Sequence, residues 1–159
     1  MESDPFQDRL YSLSSNAVLH GAPSGTTFKL QRVQNNATRI VHQAPRRSHV
    51  YSLLKELHWL PVEQRVSYKL AVLTFKIRHR PTSTPAYLSL HITSEHAATL
   101  GHCGRRLFRF SYRTDIGKRS FSCAAPATWN SRSPAVINCG TLPVFISTLK
   151  THLFNTAHS

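Results

Sequence analysis

Seven carboxylates serve the whole chain, and their placement is poor for acid–base or metal-assisted chemistry. Glu2, Asp4 and Asp8 crowd the first eight positions; beyond them stand only Glu56, Glu63, Glu95 and Asp115, none adjacent to another. A two-metal site needs at least one pair of convergent carboxylates to offset the charge of the ions. Pro61 between Glu56 and Glu63 argues against a shared helical face. Among ten histidines and three cysteines, the densest cluster is His91, His96, His102 and Cys103. Its spacing lacks the two short ligand pairs of a zinc module, so exposed or loosely packed histidines are the better reading. Gly101-His102-Cys103-Gly104 has no strand-to-helix elbow around its thiol, and the six glycines form no phosphate loop. No catalytic residue, metal, cofactor or small-molecule substrate is expected.

What remains is binding by positive charge. Twenty Lys and Arg against seven acids give a formal charge of +13 and a pI near 10.6, which calls for a polyanion. Nucleic acid is the commonest such partner, and an acidic membrane surface is the alternative. No window approaches the ~18 apolar residues of a membrane span, and the acidic start Met1-Glu2-Ser3-Asp4-Pro5 is unlike a signal peptide. Cys103, Cys123 and Cys139 are too scattered for a disulfide framework. The expectation is an intracellular protein, cytoplasmic or nuclear, with no membrane partner.

The elements that must position these charges are mainly helical. Residues 1–12 carry no period and read as an unstructured lead-in. Leu30, Val33, Ala37, Ile40, Val41 and Ala44 form one helical stripe ended by Pro45; Lys29, Arg32, Asn36 and Arg39 lie on the adjoining face. Val50 to Leu57 suits a brief helix before the His58-Trp59-Leu60-Pro61 turn. From Val62 to Arg78, Val62, Val66, Leu70, Leu73 and Ile77 occupy one side and Tyr68, Val72 and Phe75 a second, so this central helix should be buried twice over. Surplus apolar surface for a protein partner would show there. Arg65, Lys69 and Lys76 share its remaining face. The Pro- and Thr-rich stretch 78–85 reads as a linker into a helical turn at Ala86–Leu90. The alternation of Phe108, Phe110 and Tyr112 with Arg109, Ser111 and Arg113 reads as a strand, with Arg119–Cys123 as partner in a short β-hairpin across an Asp115-Ile116-Gly117 turn. Thr141 then caps a C-terminal amphipathic helix carrying Leu142, Phe145, Ile146, Leu149 and Leu153. Trp59 and Trp129 read as core anchors. The regions are therefore 1–12, a helical region 13–80, a linker with a short helix 81–104, and a C-terminal segment 105–159.

Several blocks carry a resemblance. Leu30-Gln31-Arg32-Val33-Gln34-Asn35-Asn36-Ala37-Thr38-Arg39-Ile40-Val41, then Leu57-His58-Trp59-Leu60-Pro61-Val62 with Gln64-Arg65, then Leu73-Thr74-Phe75-Lys76 resemble the region after the polymerase core of LINE-type (non-LTR) retrotransposon reverse transcriptases. Pro85-Ala86-Tyr87-Leu88-Ser89, Arg119-Ser120-Phe121-Ser122-Cys123-Ala124-Ala125-Pro126 with Trp129-Asn130, and Leu149-Lys150-Thr151-His152-Leu153-Phe154 follow in the same order. The chain departs from the family pattern after Phe75-Lys76, where Ile77-Arg78-His79-Arg80 replaces a Leu-Asn-Gly turn. It departs again after Trp129-Asn130, where Ser131-Arg132-Ser133-Pro134 replaces Leu-Pro, and at Ile146. The resemblance implies a small domain of thumb-like helices detached from the polymerase palm and endonuclease, whose partners are RNA or RNA–DNA hybrid and the missing polymerase core. Lys29, Arg32, Arg39, Arg46, Arg47, Arg65, Lys69 and Lys76 are the candidate phosphate contacts. Phe108, Phe110 and Tyr112 are candidates for base stacking, with a buried strand face as the alternative. A decayed mobile-element fragment without biochemical function and a protein-interaction remnant are the competing readings.

Overall fold

The computed structural model describes residues 19–79, 86–92 and 106–158. The lead-in 1–12, most of the linker and the cluster around His96, His102 and Cys103 lie outside them. The described residues are mainly α: α1 Ser24–Val41, α2 Val50–Glu56, α3 Val62–His79, α4 Ala86–Ser89, α5 Asp115–Lys118, α6 Phe121–Asn130, α7 Pro134–Ile137 and α8 Leu142–Ala157. They contain no strand, only an isolated bridge at Leu107. No helix among them is long and apolar enough to cross a membrane. Two compact units divide the chain: the residues up to Tyr68 with Lys150–Ser159, and Lys69–Leu149. The expected helices α2, α3 and α4 form within two residues of their sequence limits; α8 begins at Leu142 as expected and runs four residues past Leu153, and α1 begins at Ser24 behind Pro23, six residues before the apolar stripe starts.

In the first unit α1 packs on α2, and Leu54, Leu60, Val62, Val66, Tyr68 and Leu153 are buried. The apolar stripe of α1 is turned outward, against the usual inward orientation of such a face. Val33 is 66% exposed, Ile40 76%, Val41 56% and Leu30 37%, while the residues that α1 buries are Gln34 and Thr38. Hydrogen bonding accounts for the inversion. Gln34 Nε2 donates to the Leu60 carbonyl at 2.9 Å, and Gln31 Oε1 accepts from the Val62 amide at 2.9 Å. The Thr38 hydroxyl donates back to the Gln34 carbonyl at 2.9 Å. The first amides of a helix have no partner within it, so Gln31 supplies for α3 what a capping residue ordinarily would. Satisfying the backbone of the Leu60–Val62 turn requires amide side chains inward, and a helix with one polar face inward must turn its aliphatic face out. Trp59, expected as a core anchor, is only half-buried. Tyr51 meets His158 edge-on at 5.0 Å, and His58 stacks on Phe154 at 5.4 Å, so residues 150–158 are held by a chain of rings.

The core of the second unit is aromatic. Phe75 stacks on Phe145 with ring centres 4.3 Å apart, Trp129 stacks on Phe145 at 5.8 Å, and all three are at most 1% exposed. The guanidinium of Arg78 lies 5.1 Å above the Trp129 ring, and burial lowers its pKa. The predicted hairpin does not form. Phe121–Cys123 open α6, whose small residues Ala124 and Ala125 are buried, and the expected Asp115–Gly117 turn is the start of α5, capped by Thr114 Oγ1 accepting from the Gly117 amide. Phe108 to Tyr112 lie beside α6 without regular structure instead. The Asn130 side chain holds both backbone groups of Leu107, accepting from its amide at 3.0 Å and donating to its carbonyl at 2.8 Å. Cys123 Sγ donates to the Phe110 carbonyl at 3.0 Å. Side-chain donors and acceptors thus replace the partner strand that alternation alone suggested.

Candidate nucleic-acid interface

One feature of α1 gathers sequence-predicted charges into a site. Its C-terminal half and the chain turning back after it enclose an open groove of about 750 Å³, lined by Arg32, Asn35, Asn36, Arg39, Gln43 and Arg46, with Ile40 and Ala44 as apolar wall. The turn is a helix-ending motif in which the Gln43 amide bonds the Ile40 carbonyl at 3.1 Å and the Ala44 amide bonds the Arg39 carbonyl at 2.9 Å. It demands a left-handed residue, and Gln43 adopts φ 49° to supply it. That reversal carries Arg46 back to the arginines of α1.

The polar groups of the groove are unbalanced in kind. Asn35 Oδ1 already accepts from Gln31 Nε2 at 2.8 Å, and Asn36 Oδ1 accepts from Arg39 Nη1 at 3.4 Å. Each asparagine oxygen thus already accepts one bond, and the N–H groups of both asparagines, with those of the three arginines, make donors outnumber acceptors among the side chains of the groove. Among the described residues no carboxylate lines the groove. Glu56, the acid nearest in sequence, pairs with His42 at 3.7 Å. A donor-rich concavity without a counter-charge suits an anion rich in acceptor oxygens, and phosphate is the commonest of these.

The structure gathers some of the predicted contacts and not others. Arg32, Arg39 and Arg46 share the groove, whereas Lys29 and Arg47 are exposed and stand outside its lining. Arg65, in the first unit, is half-buried. In the second unit Lys69 is half-buried, and burial together with the charge of Lys76, itself half-buried, lowers its pKa below the usual lysine value. Asn35 and Gln43 were not singled out by sequence; only their place between basic residues could have drawn notice to them. Phe108 and Tyr112 are 48% and 43% exposed, so their side chains are not the buried face of a strand. Phe110 is half-buried and meets Phe108 edge-on at 5.2 Å, with Arg106, Arg109 and Arg113 exposed beside them. Gly117 permits the arrangement, because a Cβ there would fall 2.7 Å from the Cβ of Tyr112. Among the described residues no group of three or more His, Cys, Asp or Glu side chains converges as a metal site.

No protein-family model matches the chain, and no curated protein or solved structure is found to be similar to it.

Proposed function

We propose that this chain is a non-catalytic piece of a LINE-type reverse transcriptase, from the region after the polymerase core, and that it grips RNA or RNA–DNA hybrid by its phosphates. The observation that carries the reading is the groove of α1, where Arg32, Arg39 and Arg46 converge with asparagine N–H groups and, among the described residues, no carboxylate. A second observation supports the resemblance as a property of a folded unit. Two of the blocks on which it rests are joined directly, since Gln31 and Gln34 of the first hold the backbone of Leu60 and Val62 in the second. The exposed rings of Phe108 and Tyr112, with arginines near them in the chain, offer faces on which unpaired bases can stack.

The test is a titration of the protein with single-stranded RNA, RNA–DNA hybrid and duplex DNA across a salt series. Each phosphate contact contributes about 0.7–0.9 to the slope of log affinity against log salt. Replacing Arg32, Arg39 and Arg46 with Gln is therefore expected to flatten the slope by about 2 and to weaken binding by at least about tenfold at moderate salt. An unchanged slope in that triple variant, or equal affinity for every polyanion including heparin, would favour the competing reading of a decayed fragment whose charge is inherited and unused.

A further inference from the structure

The outward stripe of α1 adjoins the groove, sharing Ile40 and Ala44 with its wall, and extends beyond it through Leu30 and Val33. Leu30, Val33, Ile40 and Val41 fall at helical spacing along one side, with the small residues Ala37 and Ala44 between and beyond them, and the four large side chains are 37–76% exposed. A solvent-facing row of aliphatic side chains along a helix is stable in water only at a cost, and such rows mark places where another apolar surface is covered. Phosphates have no use for aliphatic carbon, so nucleic acid in the groove leaves most of the stripe bare.

The charges beside the stripe decide what fits it. One edge carries Lys29, Arg32 and Arg39; the opposite edge carries no charged side chain. A second copy of this chain laid antiparallel on the stripe would set basic edge against basic edge, and every pairing of copies brings two molecules of charge +13 together. The edge instead complements a helix bearing acids along one side of its own apolar row. We propose that the stripe of α1 docks an amphipathic helix of another protein, apolar at i, i+3, i+7 and i+10 and lined by Asp or Glu on the edge that meets Lys29, Arg32 and Arg39.

The probe is a designed 21-residue helical peptide with Leu and Ile in the apolar row and Glu along one edge, titrated against the full chain. Two controls accompany it, one with Lys in place of Glu and one with Ser in place of the apolar row. The Glu peptide is expected to bind, to weaken as salt rises, and to lose at least about tenfold on Leu30→Ser with Val33→Ser. Neither residue lines the groove, so RNA affinity in that double variant is expected to stay as in the parent protein. Because both positions face solvent, an unaltered melting curve will show that the fold is kept. The proposal is overturned if the Lys and Glu peptides bind alike, if neither binds, or if sedimentation shows the protein dimerising in a manner abolished by the same double variant. None of these outcomes touches RNA binding through Arg32, Arg39 and Arg46, which the salt series tests by itself.

Discussion

Gln34 is the residue on which the first unit most plainly turns. It is 7% exposed, its Nε2 serves the Leu60 carbonyl, and its own Oε1 is buried without a partner. Leaving a buried carbonyl without its donor costs ~1–3 kcal/mol, so Gln34→Ala is expected to lower stability by about that much in a denaturant melt. Gln34→Leu restores the volume but not the donor, and it too should fall below the parent protein. If Gln34→Leu proves as stable as the parent, apolar packing and not hydrogen bonding sets the orientation of α1. Sequence reasoning had no access to this residue. Its side chain serves backbone 26 residues away, and no local pattern announces so distant a partner. Arg32 and Arg39, by contrast, were legible, because charge on one helical face needs only local spacing to be seen.

At the scale of elements, the two turns that end α1 and α2 are built alike. Each is closed by a left-handed residue other than glycine, Gln43 at φ 49° and His58 at φ 53°. That conformation costs a residue with a Cβ roughly 1 kcal/mol, which glycine avoids. Gln43→Gly is therefore expected to raise stability by ~0.5–1 kcal/mol, read as a higher melting temperature. His58→Gly is not expected to do the same. The imidazole stacks on Phe154 and its Nδ1 lies 3.2 Å from the Glu56 carbonyl, so the gain in backbone freedom is offset by lost contacts. The same scale shows why some elements could be read and others not. The double apolar face of α3 gives an unmistakable period, and the helix formed at Val62–His79 with Leu70, Phe75 and Ile77 buried. It left no surplus apolar surface of the expected kind; the surplus lies on α1 instead. α6 was invisible because Ser122, Cys123, Ala124 and Ala125 are small on every side, and Pro126 within it argues locally against a helix. The arm from Phe108 to Tyr112 alternates as a strand does, yet Asn130 and Cys123 occupy the backbone groups a neighbouring strand would need.

Taken whole, the molecule holds a charge of +13 on 159 residues, and the exposed pair of Lys118 with Asp115 and the His42–Glu56 contact at 3.7 Å offset little of it. Self-repulsion of this size opposes a compact state, and salt screens it over ~10 Å at 0.1 M. The melting temperature is expected to rise by a few degrees between about 0.01 M and 0.3 M NaCl. Multivalent phosphate should raise it further at equal ionic strength, through the arginine groove. A melting temperature that falls with added salt would mean that attractive ion pairs outweigh repulsion. The division into units has another consequence, which concerns time. The first unit is discontinuous: it joins the residues up to Tyr68 to Lys150–Ser159, across the 81 residues from Lys69 to Leu149. A ribosome adding ~5–20 residues per second takes about 4–16 s to supply that intervening stretch. Throughout that interval Tyr51 and His58 lack the rings of His158 and Phe154 that they meet in the finished unit.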